Sequence, residues 1–307
     1  MLIAVFGATG FVGTAMVESL LLAGHRLRLL VRPGSERKLA LAQQCEIVRG
    51  DLDDENAIAR TVTGAEAVCY LVGIIREFPA RGITWEKLHW QGAQRVIDAA
   101  GAAGVSRFLL MSANGVKAEG TGYQRSKFRA EQYLRASSLS WTIFRPSVIF
   151  GDPRGQQEFC TQLRDDMIQT PLPAPLFHRG LLPCHAGSFQ LAPVHVQNVA
   201  DCFVQALSRP EAVGRTYQLC GPEALAWAEL IRRVAAACGR HKLALPVPVA
   251  VVAAIAALCD RFPWFPVTRD QLIMLLEDNV CQEEGALREL GVTPIPFSAQ
   301  HLAYLRK

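Results

Sequence analysis

Short apolar runs alternate with segments of helical period through the first half of the chain, and a glycine-rich turn joins the first run to the first helical segment. Together they predict an α/β protein, a doubly wound parallel sheet of the Rossmann type with a smaller C-terminal lobe. A length of 307 residues accommodates one large α/β domain and an appended lobe.

Leu2 to Phe6 reads as a strand, followed by the turn and by a helix through Val12, Met16, Leu20 and Leu21. Further strands are expected at Leu27–Val31, Cys45–Val48 and Ala67–Val72. A helix around Trp85–Ala103 leads to a fifth strand at Arg107–Met111, and a helix from about Tyr123 to Ser137 leads to a sixth at Trp141–Arg145. After Gly151 the pattern breaks into a segment rich in Pro and Gly up to Pro193, read as partly loop with a short helix near Glu158–Ile168. A helix over Val196–Leu207 and a strand near Thr216–Cys220 return to the sheet, and the rest supplies two or three helices. The expected core is therefore residues 1–150 completed by about 193–220, with 151–192 and 221–307 forming the lobe.

Half the residues are hydrophobic and a fifth are charged, as in ordinary globular enzymes. The net charge of +4 is small, and no Lys/Arg run with interleaved aromatics tracks a nucleic-acid backbone, so nucleic acid is not expected as a partner. Nine scattered cysteines without CxxC spacing suit reduced thiols of a cytosolic protein, most of them packed as small hydrophobes. No signal or transit peptide is expected before the strand at Leu2. The apolar run from Val247 to Cys259 contains Pro248 and is too short to span a bilayer. With Phe262, Trp264 and Phe265 it suggests a peripheral membrane or protein-complex contact, but without a basic face it reads better as a helix buried in the lobe.

The turn Gly7-Ala8-Thr9-Gly10-Phe11-Val12-Gly13 has GxxGxxG spacing between strand and helix. Gly7 permits the tight turn, Gly10 lets the backbone approach a diphosphate, and Gly13 lets the helix pack on the strand. Thr9, Phe11 and Val12 complete the expected binding turn at the positive end of the helix. At the end of the second strand, where an acidic residue would accept from a ribose 2′-hydroxyl, stands Arg32, with Arg37 and Lys38 following. These favour a 2′-phosphate and hence NADP(H) over NAD(H); the bland alternative is a solvated basic loop. Asp51-Leu52 after the third strand is placed to meet the adenine, unless Asp51 is a helix N-cap. Val72, ending the fourth strand, faces the same crevice.

Tyr123 and Lys127 stand four apart on one helix face. An ammonium beside the phenol should lower its pKa, so that Tyr123 exchanges a proton while Lys127 holds the nicotinamide ribose. Ser112, just past the fifth strand, is placed to hydrogen-bond a substrate oxygen. His178, Cys184 and His185 match no recognised metal site, and no metal is expected. No GxSxG or HExxH motif supports a hydrolase.

The pair Gly7–Gly13 and Tyr123–Lys127 resembles the short-chain dehydrogenase/reductase superfamily in its extended or atypical form. More narrowly, Met111–Gly115, Phe144–Gly151, Pro193–Ala200, Gly221-Pro222, Thr268–Leu272 and Asp278–Val280 are similar to relatives of a cofactor-holding accessory subunit of respiratory complex I. The resemblance runs from end to end. It implies NADP(H) across the carboxyl edge of the sheet, with Arg145, Pro146 and Ser147 near the nicotinamide. Two departures stand out: Gln197-Asn198 where extended members usually carry an acidic residue, and Ser112 only eleven positions before Tyr123. Two functions follow as expectations. One is an oxidoreductase or sugar-type epimerase that transfers hydride on a small molecule. The other is a non-catalytic dinucleotide-binding module of the accessory-subunit type.

Overall fold

The fold is that of a computed structural model, and it describes residues 1–180, 182–252, 269–282 and 285–306. The chain forms two compact units. The first comprises residues 1–146, 196–219 and 285–293. Along it run strand β1 (Leu2–Phe6), helix α1 (Phe11–Leu22), β2 (Arg26–Val31), β3 (Glu46–Arg49), α2 (Glu55–Val62) and β4 (Ala67–Tyr70). A widened π-type turn at Glu86–Gln91 opens α3 (Gly92–Ala102), which is followed by β5 (Arg107–Met111), α4 (Gly122–Ala136) and β6 (Ser140–Pro146). The helix Val196–Leu207 and the strand Arg215–Leu219 complete the unit.

The seven strands are parallel in the order β3, β2, β1, β4, β5, β6 and Arg215–Leu219. The chain winds outward in both directions from the β1–β4 neighbours, so the loops leaving those strands diverge and open a crevice at the carboxyl edge. Strands buried on both faces need continuous apolar runs, and Ile3, Ala4, Val5 and Phe6 of β1 and all of β4 are buried. One face packs Phe6, Phe108 and Ile143 under Ile58 of α2, Val96 and Ile97 of α3 and Leu134 of α4. On the Val196–Leu207 helix, Phe203 lies 4.2 Å from Phe144 of β6, which in turn stacks on Tyr217. Gln197 donates to Ser19 of α1 at 2.8 Å and Asn198 to the Thr293 carbonyl at 2.8 Å, so both are tied into the structure.

The described residues of 147–195, 220–282 and 294–306 form the second unit. Its core gathers Phe150, Phe177, Trp227, Ile231, Val234 and Phe297 around the helix Trp227–Ala237. Trp227 stacks on Phe189 and donates its indole N–H to the Pro175 carbonyl at 2.9 Å. Within the segment read as partly loop, Ala174–His178 is a strand paired in parallel with Ala244–Pro248. The prolines at 175, 246 and 248 hid both strands, because Pro gives no ladder hydrogen bond and argues against a strand interior.

The expectation of reduced thiols fails for one pair: Cys220 and Cys281 form a disulfide within the second unit. Cys69, Cys160 and Cys202 are buried, Cys45 and Cys238 partly so, and Cys184 is exposed. Among the described residues no helix is long and apolar enough to cross a membrane. The apolar segment proposed for membrane or partner contact lies outside the described residues from 253 onward, as do Cys259 and Thr268.

Candidate functional site

The turn between β1 and α1 is set by what its glycines exclude. Gly7 has φ +92°, and a Cβ there would meet the Leu71 carbonyl carbon and the Val72 nitrogen at 3.0 Å. The chain leaving β4 therefore lies against the turn. At Gly13 a Cβ would collide with the Gly7 carbonyl oxygen and come within 2.7 Å of the Ala8 carbonyl, both backbone groups with nowhere to go. Gly10 is different: a Cβ would meet only the Gly7 oxygen at 3.5 Å, an ordinary contact, so the fold itself leaves room on that side. Gly10 is also the N-cap of α1, with no side-chain cap and no acidic residue in the first turn. The first-turn amides and the positive end of the helix thus remain available to an anion. Thr9 and Phe11 are partly exposed beside them, and Val12 is buried.

At the end of β2, Arg32, Arg37 and Lys38 are exposed. Arg32 and Arg37 make no side-chain hydrogen bond or ion pair among the described residues, unlike nearby Arg49, which binds Glu36 at 2.8 Å. Beyond β3, Asp51 accepts from the Asp53 amide at 2.9 Å. The N-cap of α2 is Asp54, which accepts from Ala57 at 2.9 Å, so the capping alternative for Asp51 is corrected. Asp53 is held by Lys87 at 2.5 Å and Arg95 at 3.0 Å, and Arg95 also donates to the Leu52 carbonyl at 2.7 Å. Leu52 is buried and Asp51 exposed at this fixed loop.

The second half of the site lies on α4. A capping box starts the helix: Thr121 accepts from the Gln124 amide at 3.3 Å, and Gln124 accepts from the Thr121 amide at 2.9 Å. This fixes Tyr123 in the first turn and Lys127 one turn later. Lys127 is 5% exposed and donates to the Met111 carbonyl at 3.1 Å. Burial lowers its pKa to about 8, against the opposing pull of Glu131. The Tyr123 phenol does not follow the sequence expectation. Its pKa is raised, because burial outweighs a lysine whose Nζ sits 5.9 Å from the ring centroid, over the face of the ring. At neutral pH the phenol therefore keeps its proton.

Ser112 follows the Met111 carbonyl that Lys127 holds. Its amide donates to the Phe144 carbonyl at 2.7 Å, while its hydroxyl is buried with no hydrogen-bond partner among the described residues, as is the indole N–H of Trp85. A buried hydroxyl without a partner costs about 1–3 kcal/mol, which a ligand oxygen would recover. Arg145 turns instead to the fully buried Glu131, which it grips through two bonds of 2.8 and 2.6 Å. The Pro146 carbonyl accepts from the Asn114 amide at 2.9 Å, and the Ser147 hydroxyl donates to the Asn279 carbonyl at 3.1 Å within the second unit.

Three residues around Tyr123 escaped sequence reasoning. Trp85 and His89 set their rings edge-on to it at 6.3 and 5.2 Å, and a Cβ at Gly73 would lie 3.4 Å from Lys127 Nζ. A lone His and a lone Trp in a helical segment carry no spacing signal. Only the rule that the loop after the fourth strand borders the crevice points to them.

An anion-ready helix start, a basic strand end and a buried hydroxyl beside a Tyr/Lys pair together fit a dinucleotide with a small substrate. Known proteins resemble the chain over most of its length. The chain is 25% identical over 309 residues to the mitochondrial NADH-ubiquinone oxidoreductase 40 kDa subunit of Neurospora crassa, covering 98% of this chain and 78% of that one. It is 28% identical over 262 residues to the ceramide reductase of Caulobacter vibrioides, covering 85% and 78%. The crystal structure of the Thermus thermophilus UDP-glucose 4-epimerase with NAD shares the fold, with a TM-score of 0.73, 17% identity, and 100% and 98% of the two chains covered. Over residues 7–170, more than half of its length, the chain matches the NAD(P)H-binding family, and it belongs to that family.

Proposed function

We propose that the chain is an NADP(H)-dependent oxidoreductase that reduces a carbonyl, or an epimerase of the same chemistry acting on a sugar-type substrate. The observation that carries this reading is the protonated Tyr123 phenol on α4 together with buried Lys127 and the unpartnered Ser112 hydroxyl. When bound, the dinucleotide supplies the hydride. Ser112 orients the substrate oxygen, and Tyr123 gives that oxygen a proton as negative charge develops on it. Lys127 spends one N–H on Met111 and keeps the others for the nicotinamide ribose. The diphosphate rests at Gly7–Gly13, with Thr9, Phe11 and Val12 beside it. Leu52 and Asp51 border the adenine, and Val72 and Pro146 line the crevice. Preference for NADP(H) is supported by Arg32 and Arg37, exposed and unengaged among the described residues, where an NAD site would place a carboxylate.

A second reading, a dinucleotide-binding subunit without turnover, is favoured by the similarity over 98% of the chain to the 40 kDa subunit of NADH-ubiquinone oxidoreductase. Tyr123→Phe separates the two. In the enzyme NADPH binding survives and turnover over a panel of carbonyl and sugar-nucleotide substrates falls about a hundredfold or more. In the subunit the substitution changes nothing, and the wild-type protein neither oxidises NADPH with any member of the panel nor epimerises one.

A further inference from the structure

The geometry points to His89 as a positioning residue of this site: a neutral imidazole with its proton on Nδ1 that ties the loop after β4 to α4 and so holds Lys127 and Tyr123 in place for the dinucleotide. The inference rests on the reading that the dinucleotide lies against Lys127.

Three hydrogen bonds in series assign every proton. The Ile74 amide donates to His89 Nε2 at 3.0 Å, and an amide can only donate, so Nε2 carries no hydrogen. The Ser126 hydroxyl donates to the Tyr123 carbonyl at 2.9 Å, so its oxygen receives the Nδ1 proton of His89, 3.0 Å away. A charged imidazolium would point a second proton at the Ile74 amide and break the chain. The surroundings enforce neutrality: the ring is 2% exposed, and burial, with the Lys127 charge added, holds its pKa well below the ordinary value. The titratable groups facing it are Lys127 and Tyr123 from α4; Glu131 acts on Lys127 in turn.

What makes this more than core packing is where the two ends of the chain lie. One end is the backbone of Tyr123. The other is the residue next to Gly73, whose Cβ position would be 3.4 Å from Lys127 Nζ and 3.9 Å from His89 Nε2. The same point of the loop therefore faces both side chains, and the His89–Ile74 bond sets how closely the loop covers the ammonium. The π-type turn at Glu86–Gln91 carries His89 at this point, a local cost that recurs at functional sites. Removing the ring strands the Ile74 amide, takes from the Ser126 oxygen the proton it accepts, and opens a void under Tyr123 that water fills, restoring Lys127 toward its ordinary proton affinity.

The test combines ring NMR with NADPH titration on the full chain. In ¹⁵N-histidine spectra the signal lost in His89→Gln should show the Nδ1–H tautomer and no protonation between pH 8 and pH 5. His89→Ala should fold, by circular dichroism, yet bind NADPH about tenfold more weakly. The pH at which NADPH affinity falls away as Lys127 loses its proton should move up from about 8 by roughly one unit. His89→Gln, whose amide oxygen can stand where Nε2 accepts from Ile74, should restore most of the affinity, and His89→Asn should not. An Nε2–H or charged ring, or His89→Ala with unchanged affinity and unchanged pH midpoint while Lys127→Ala abolishes binding, overturns the role of His89 alone. Unchanged NADPH affinity in Lys127→Ala overturns the placement of the dinucleotide, and the inference falls with it.

Discussion

Replacing Lys127 by methionine removes a charge that the fold holds at a cost. The ammonium is 5% exposed, and burial lowers its pKa from 10.5 to about 8. At about 1.4 kcal/mol per unit, that difference is worth ~3 kcal/mol against the folded state at neutral pH. Methionine keeps the apolar stem packed but strands the Met111 carbonyl, which gives back about 1 kcal/mol. The variant should therefore be more stable than wild type by about 2 kcal/mol at pH 7, roughly 4–8 °C in Tm, while losing its hold on the dinucleotide. The pH dependence has a fixed sign. Below pH 8 folded and unfolded chains both carry the proton, and the full cost is present. Between 8 and 10.5 only the unfolded chain keeps it, so wild type gains stability as pH rises and the advantage of the variant disappears. Urea unfolding of both proteins without ligand at pH 7, 9 and 10.5 measures this. A variant less stable at pH 7, or an advantage constant across that range, would refute an unfavourably buried ammonium.

Arg32→Ala should weaken NADPH binding about 10–100-fold by calorimetry and leave NADH unchanged, the worth of hydrogen bonds to a charged group; equal losses for both would remove the 2′-phosphate site. Gly13→Ala should destabilise the first unit by about 3 kcal/mol in urea, because the added methyl meets only backbone. Reducing the Cys220–Cys281 disulfide, which closes a 61-residue separation, should cost the second unit about 4 kcal/mol, read as a lower Tm with dithiothreitol that a Cys220→Ser/Cys281→Ser double variant shows without it.

The sheet of the first unit was readable because its strands are buried on both faces and punctuated by helices, so β5 and the Val196–Leu207 helix were placed to the residue. In the second unit the short helical stretch at Phe159–Ile168 was readable, and the rest was not. Its paired strands carry Pro175, Pro246 and Pro248, and its disulfide joins cysteines too far apart in sequence for spacing to suggest. At the candidate site, glycine spacing and the four-residue step from Tyr123 to Lys127 are local rules and could be read directly. The raised Tyr123 pKa, the tie from Arg145 to Glu131 and the clasp of His89 on Ile74 depend on burial and on partners distant in sequence, which residue patterns do not encode.

The outermost strand of the large sheet, Arg215–Leu219, has a consequence for biosynthesis. It pairs with β6, yet the chain builds much of the second unit between them. At ribosomal rates of about 5–20 residues per second, β6 waits on the order of several seconds with one edge of its hydrogen-bonding ladder open and Phe144 without its partners Phe203 and Tyr217. A nascent sheet in that state invites a strand from another copy, so domain-swapped assembly and chaperone capture compete with correct closure until Leu219 has been made.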